Sequence, residues 1–138
     1  MAYRESVSHA PLVVSAFGTN VIATELATGK RVWEREATST RLLRLEIDGD
    51  RVFVLGASLA CLDYASGRTI WEVAVPAACT AGTLLVVDES VVIADSGEVA
   101  CFDAATGALR WHDAFRGKGV GIVALAVPGR AAQADRSG

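Results

Sequence analysis

Short apolar stretches, separated by Asp, Gly, Ser and Thr, follow one another along most of the chain. None carries the 3.6-residue spacing of an amphipathic helix over a useful length. The middle of the chain sets the pattern. Residues 42–47 read as a strand and Asp48-Gly49-Asp50 as a tight hairpin turn. Residues 51–55 (Arg-Val-Phe-Val-Leu) form a second strand rich in β-branched and aromatic side chains. After Gly56-Ala57-Ser58 comes a third strand at 59–63. Ala65-Ser66-Gly67 makes another turn, and a fourth strand at 69–75 is halted by Pro76. The next stretch repeats this order with strands at 83–87, 91–94, 99–103 and 109–115. Several strands, such as Thr83-Leu84-Leu85-Val86-Val87 and Val91-Val92-Ile93, are continuously apolar, the pattern of a strand covered on both faces.

The strand pattern is tied to a repeated phrase. Ala23-Thr24-Glu25-Leu26-Ala27-Thr28-Gly29 leads to Trp33, Cys61-Leu62-Asp63-Tyr64-Ala65-Ser66-Gly67 to Trp71, and Cys101-Phe102-Asp103-Ala104-Ala105-Thr106-Gly107 to Trp111. The glycines are 67 − 29 = 38 and 107 − 67 = 40 residues apart, and the tryptophans keep the same intervals. A period of about 40 residues with four short strands per period predicts an all-β radial repeat, a propeller of four-stranded blades. Three blades fit the chain. The first has strands only at 12–16 and 21–25 before its Trp, so it lacks an innermost strand. An extra strand at 121–127 follows the third blade at the position of 42–47 and 83–87. The predicted organisation is an N-terminal segment 1–10, repeats over 11–127, and a tail 128–138 that reads either as a decayed turn and second strand or as a loose end.

Propellers close with about 4–8 blades, so a half ring leaves an apolar flank and an open edge. The expected remedy is a homodimer in which strand 121–127 of one copy completes the first blade of the other, giving a six-bladed ring. A trimer or a heteromeric partner is the fallback.

Within the phrases, Asp63 and Asp103 stand where a carboxylate can accept backbone N–H bonds across the following turn, and Glu25 should do so less well. Gly29, Gly67 and Gly107 are expected at positive φ, closing the hairpin between third and fourth strands. Trp33, Trp71 and Trp111 present large flat side chains to the next blade. The phrase resembles the tryptophan-docking repeat of the PQQ-like, quinoprotein-type β-propeller family. That resemblance implies that each Trp docks between blades near a Gly of the adjoining repeat. The departures are Cys61 and Cys101 for Ala, Glu25 for Asp, and Ala108 where Lys30 and Arg68 stand.

Members of that family that carry the quinone have eight blades, adjacent cysteines and a Ca²⁺ site of acidic and amide side chains. Here no two cysteines are adjacent and Asn20 and Gln133 are the only side-chain amides. The resemblance therefore implies a module without cofactor, metal or catalytic residues, a protein-protein interaction or scaffold unit. The alternative is a small ligand or cofactor (a quinone or a sugar) in the central channel of an assembled propeller, or one blade-bearing piece of a larger sensor assembly.

Composition narrows the partners. Apolar residues make up 51% and charged residues 21% of the 138, with net charge −3. A pI near 5.3 and a mean hydropathy of +0.35 give no basic footprint for nucleic acid and more apolar surface than a small free domain needs. No apolar run approaches the ~20 residues of a membrane-spanning helix, and membrane insertion is not expected. The N-terminus has no apolar signal region and the three cysteines have no paired spacing, so a cytoplasmic location is expected.

Other candidate chemistry reads as structural. His9 stands alone, and His112 and Asp113 are adjacent strand residues that point to opposite faces. A cation ring of Glu25, Asp63 and Asp103 competes with turn closure, and Cys61 with Cys101 reads as small apolar packing. Gly117-Lys118-Gly119-Val120-Gly121 lacks the strand and helix of a phosphate loop. Arg44 and Glu46 interrupt an innermost strand and share one side, toward a neighbouring blade or the channel. A cross-strand charge pair is the simpler reading of them.

Overall fold

The computed structural model describes residues 11–36, 43–76, 82–95, 97–115 and 124–132. Among these, every regular element is a β-strand. The first sheet holds β1 (Leu12–Phe17), β2 (Asn20–Glu25) and β3 (Arg31–Glu36). The second holds β4 (Arg44–Asp48), β5 (Arg51–Leu55), β6 (Ser58–Asp63) and β7 (Thr69–Ala74). The third holds β8 (Thr83–Val87), β9 (Ser90–Asp95), β10 (Glu98–Asp103) and β11 (Leu109–Asp113), and β12 (Leu125–Val127) pairs with β13 (Arg130–Ala132). All pairings are antiparallel between sequence neighbours, the meander of propeller blades. The fold is all-β, with two complete four-stranded blades and a first blade of three strands.

By register, β1, β2 and β3 match β5, β6 and β7, so the strand that blade 1 lacks among the described residues is the innermost one. β4 and β8, the inner strands of blades 2 and 3, lie side by side, and β12 and β13 lie against β8. The turn after β12 carries Gly129 at φ 84°. Of the two readings of the tail, residues 130–132 take the one with a second strand. The first part of the expected strand 121–127 (residues 121–123) and the loop 117–120 lie outside the described residues. So do His9, Cys79, Gln133 and Leu42.

The core is two layers between blades. Between blades 1 and 2 lie Val21, Ala23, Trp33, Leu43, Val52, Val54 and Leu62. Between blades 2 and 3 lie Phe53, Leu55, Leu59, Cys61, Val86, Val91, Ile93 and Phe102. Alternate residues of β5 thus serve opposite layers (Val52 and Val54 toward blade 1, Phe53 and Leu55 toward blade 3). This explains its unbroken apolar run.

The fourth strand of every blade carries the same irregularity. Trp33 pairs with Ala23 and Arg31 with Thr24, so Val32 is an extra residue; Ile70 and Arg110 are the extra residues of β7 and β11. A bulge bends its strand and re-aims the neighbouring side chain, and here that neighbour is Trp33, Trp71 or Trp111.

Candidate interaction site at the blade joints

Each hairpin between third and fourth strands is closed by the same pair of backbone bonds. Asp63 N–H donates to the Arg68 carbonyl at 2.8 Å and Gly67 N–H to the Asp63 carbonyl at 2.7 Å. The first and third turns repeat this through Glu25, Lys30 and Gly29 and through Asp103, Ala108 and Gly107, all at 2.8 Å. Gly29, Gly67 and Gly107 sit at φ 77°, 75° and 79°, the left-handed region that favours glycine.

The acids differ in how they join these turns. Asp63 Oδ2 accepts the Ser66 N–H at 2.9 Å and the Ser66 hydroxyl at 2.7 Å. Asp103 Oδ1 accepts the N–H groups of Ala105 at 2.8 Å and Thr106 at 3.1 Å. The longer Glu25 reaches the Thr28 hydroxyl at 2.6 Å. Arg110 Nη2 donates to Asp103 Oδ2 at 2.7 Å, and this bond, helped by the backbone donors, holds the Asp103 carboxyl below its ordinary pKa range. The three carboxylates belong to three separate turns, and among the described residues no group of His, Cys, Asp and Glu is arranged to hold a metal ion.

The tryptophans meet these turns across the joints. Trp33 Nε1 donates to the Tyr64 carbonyl at 2.8 Å, and its ring lies so close over Gly67 that a Cβ there would stand 2.4 Å from ring carbon Cδ2. Trp71 Nε1 donates to the Ala104 carbonyl at 2.9 Å, and a Cβ on Gly107 would stand 2.6 Å from Trp71 Cε3. Phe53 tilts against the Trp71 ring with centroids 6.1 Å apart. Two features thus converge on one glycine: the turn needs its φ, and the indole needs the space a side chain would fill. Among the described residues no such turn lies beneath Trp111, which is 48% exposed, against 8% for Trp33. Among the described residues nothing lies within 4 Å of the position a Cβ on Gly29 would take.

Three further groups tie the joints together. Arg44 Nε donates to the Gly82 carbonyl at 3.1 Å, so this inner-strand cation reaches the entry to blade 3. Glu46 has interaction partners of its own. Tyr64 Oη accepts the Leu12 N–H at 2.6 Å, tying the start of blade 1 to blade 2. Arg51 stands 3.6 Å from both Asp48 and Glu89, joining blades 2 and 3. Sequence reasoning did not single out Tyr64 or Arg51. The one signal for Tyr64 is a hydroxyl-bearing ring where the other phrases have Leu26 and Ala104. His112 Nε2 lies 2.7 Å from Glu98 Oε1, a second contact the pattern did not show.

Cys61 is fully buried between blades 2 and 3, and that burial pushes its thiol from 9.0 up to about 11. A raised thiol pKa favours the neutral form in the folded chain. Its stabilising contribution is therefore complete below pH 9 and lost as the pH climbs toward 11. Chemical denaturation across that range should show an alkaline loss of up to about 1.4 kcal/mol per pH unit that Cys61→Ala largely removes. An unchanged slope in the variant would contradict it.

A cleft of about 400 Å³ between blades 1 and 2 runs from Thr69 to Gly56, Ala57 and Ser58, the turn at the strand ends opposite the Gly turns. Leu43, Val54 and Leu62 line it, with Glu34, Arg35 and Glu72 among its charged residues. Arg35 Nη2 spans the joint to the Thr69 hydroxyl at 2.8 Å, and the Ser58 hydroxyl donates to Glu72.

Comparison with known proteins places this geometry. Residues 56–129, more than half of the chain, match the family profile described as outer membrane protein assembly factor BamB. No curated protein matches the chain. Among solved structures, BamB from Moraxella catarrhalis superposes with a TM-score of 0.63 at 28% identity, over 86% of this chain and 36% of that one. Quinohemoprotein alcohol dehydrogenase ADHIIG from Pseudomonas putida gives 0.63 at 23% identity, over 75% of this chain and 19% of that one. The computationally designed protein Ika8 gives 0.67 at 14% identity, over 91% and 40%. The last two likenesses concern the fold alone, and the chain spans only about a third of the length of the BamB structure. The matched profile, the repeated Gly–Trp phrase and the blade geometry agree: the chain belongs to the PQQ-like β-propeller repeat family.

Proposed function

We propose that the protein is a non-catalytic propeller module that presents one face of its blades to a protein partner. In this reading its ring is completed by a second copy. The observation that carries the interaction role is the use made of the repeated polar groups. Asp63, Asp103 and Glu25 each bond within their own turns, and the indole N–H groups of Trp33 and Trp71 bond to backbone carbonyls. Such a repeat builds a rigid frame and places no reactive group in a common pocket. The likeness to BamB, described as an assembly factor, supports the same reading. The partner-binding face is the one bearing the cleft between blades 1 and 2, because the opposite turns are occupied by their own hydrogen bonds. Cysteines without paired spacing support a reducing, cytoplasmic setting.

A photo-crosslinking residue placed at Glu34 or Glu72 should give an adduct with one defined protein, and the same probe at Thr28 or Ser66 should not. The purified partner should then bind the protein in solution. Equal adducts from both faces would overturn the assignment of the face. The competing reading is a quinone in the channel of the assembled propeller. Adding pyrroloquinoline quinone with Ca²⁺ should leave the melting temperature unchanged; a rise with quinone concentration, or dye reduction with an alcohol, would establish the enzyme reading instead.

A further inference from the structure

We infer that Trp111 of one copy docks on the Leu26–Gly29 turn of a second copy. This rests on the ring-closure reading above and is independent of which protein the ring binds. The two halves of the contact lie at opposite ends of the chain, each in the state its internal counterpart would have without its neighbour. On blade 1, Gly29 has the φ of 77° found at Gly67 and Gly107, and the turn is closed by the same backbone bonds. Leu26 occupies the position of Tyr64 and Ala104, whose carbonyls accept the indoles. Its N–H donates to the Pro11 carbonyl at 3.0 Å, as the Tyr64 N–H does to Asp50 and the Ala104 N–H to Glu89, each at 2.9 Å. The acceptor turn is therefore built before anything occupies it. On blade 3, Trp111 follows the same bulge as Trp33 and Trp71, pairs with Cys101 as they pair with Ala23 and Cys61, and stands 48% exposed.

The strand count agrees. Among the described residues blade 1 has three strands and lacks the innermost, while β12 is an innermost strand lying beside β8. One and three make a four-stranded blade, and two such composite blades with two copies of blades 2 and 3 make six. In that blade β1 of the second copy takes the edge of β12 that β13 holds within one chain. What is given up is a short hairpin, Leu125 with Ala132, Ala126 with Ala131 and Val127 with Arg130, together with the contact of β13 with β8. Val13, 41% exposed, and Leu26, 64% exposed, lie on the surface of blade 1 that the contact would cover.

The test is native mass by sedimentation equilibrium of the wild type, Gly29→Ala and Trp111→Ala, with far-UV circular dichroism to check folding. A methyl on Gly29 meets nothing within 4 Å among the described residues of the single chain but stands where the indole must lie. The wild type should have twice the 14.4 kDa chain mass. Each variant should keep its β-sheet spectrum and weaken the dimer at least tenfold. Gly29→Ala carries the test if Trp111→Ala misfolds. A monomeric wild type overturns the second copy, and with it ring closure; the two half-sites would then meet blades from another source. A dimer that survives either substitution overturns the Trp111 contact alone and leaves ring closure by another surface standing.

Discussion

Replacing Trp71 with Ala should lower the unfolding free energy by about 3–5 kcal/mol, the range for truncating a large aromatic in a packed layer. The indole packs on the core between blades 2 and 3, tilts against Phe53 and donates Nε1 to the Ala104 carbonyl. Truncation removes all three contacts, opens a void over Gly107, and leaves a carbonyl that had been bonded inside the joint. Trp71→Phe keeps much of the apolar contact and loses the bond, so it should cost less than half as much. Urea denaturation followed by circular dichroism reads both values. A Trp71→Ala protein that unfolds at the parent's midpoint would mean the joint is held elsewhere.

The second large effect is a contrast between two chemically identical substitutions. Gly67→Ala should destabilise by about 2–4 kcal/mol, combining the cost of a left-handed alanine with steric crowding in a packed layer. Gly29→Ala should cost about 1–2 kcal/mol in the monomeric chain, because the backbone cost alone applies. The two glycines share φ values of 75° and 77°, so backbone strain cancels in the comparison. What remains is the 2.4 Å approach of the Gly67 methyl to the Trp33 ring, which has no counterpart within 4 Å at Gly29 among the described residues. Equal costs would show that the glycine is selected by the turn and not by the indole. Low protein concentration keeps self-association out of the measurement.

The strand order and blade count were legible because period-40 spacing and continuous apolar runs are local properties of the chain. Strands 51–55 and 83–87 fall on β5 and β8 without adjustment. The boundary of β11 was not legible. The pattern 109–115 runs on through Phe115, but the strand stops at Asp113, whose Oδ1 accepts the Phe115 N–H at 2.8 Å while Phe115 takes φ 45°. Asp is a side chain that competes with the ladder for backbone donors. The bulges at Val32, Ile70 and Arg110 were likewise hidden, since apolar content does not record a register shift. The contacts of Tyr64 with Leu12, Arg51 with Glu89 and Arg44 with Gly82 depend on how one blade is offset against the next, which no single-strand pattern encodes. The unequal fates of the three tryptophans have the same origin. Their local sequences are equivalent, and they differ in whether a further turn lies beside them among the described residues.

The pairing of an indole with the glycine of the next repeat is best tested by a double-mutant cycle of Trp33→Ala and Gly67→Ala, read by equilibrium denaturation. Once the ring is gone the new methyl has nothing to strike, so Gly67→Ala should cost at least about 1 kcal/mol less in the Trp33→Ala background than in the wild type. Costs that add, within about 0.3 kcal/mol, would contradict the contact as the element that joins the blades.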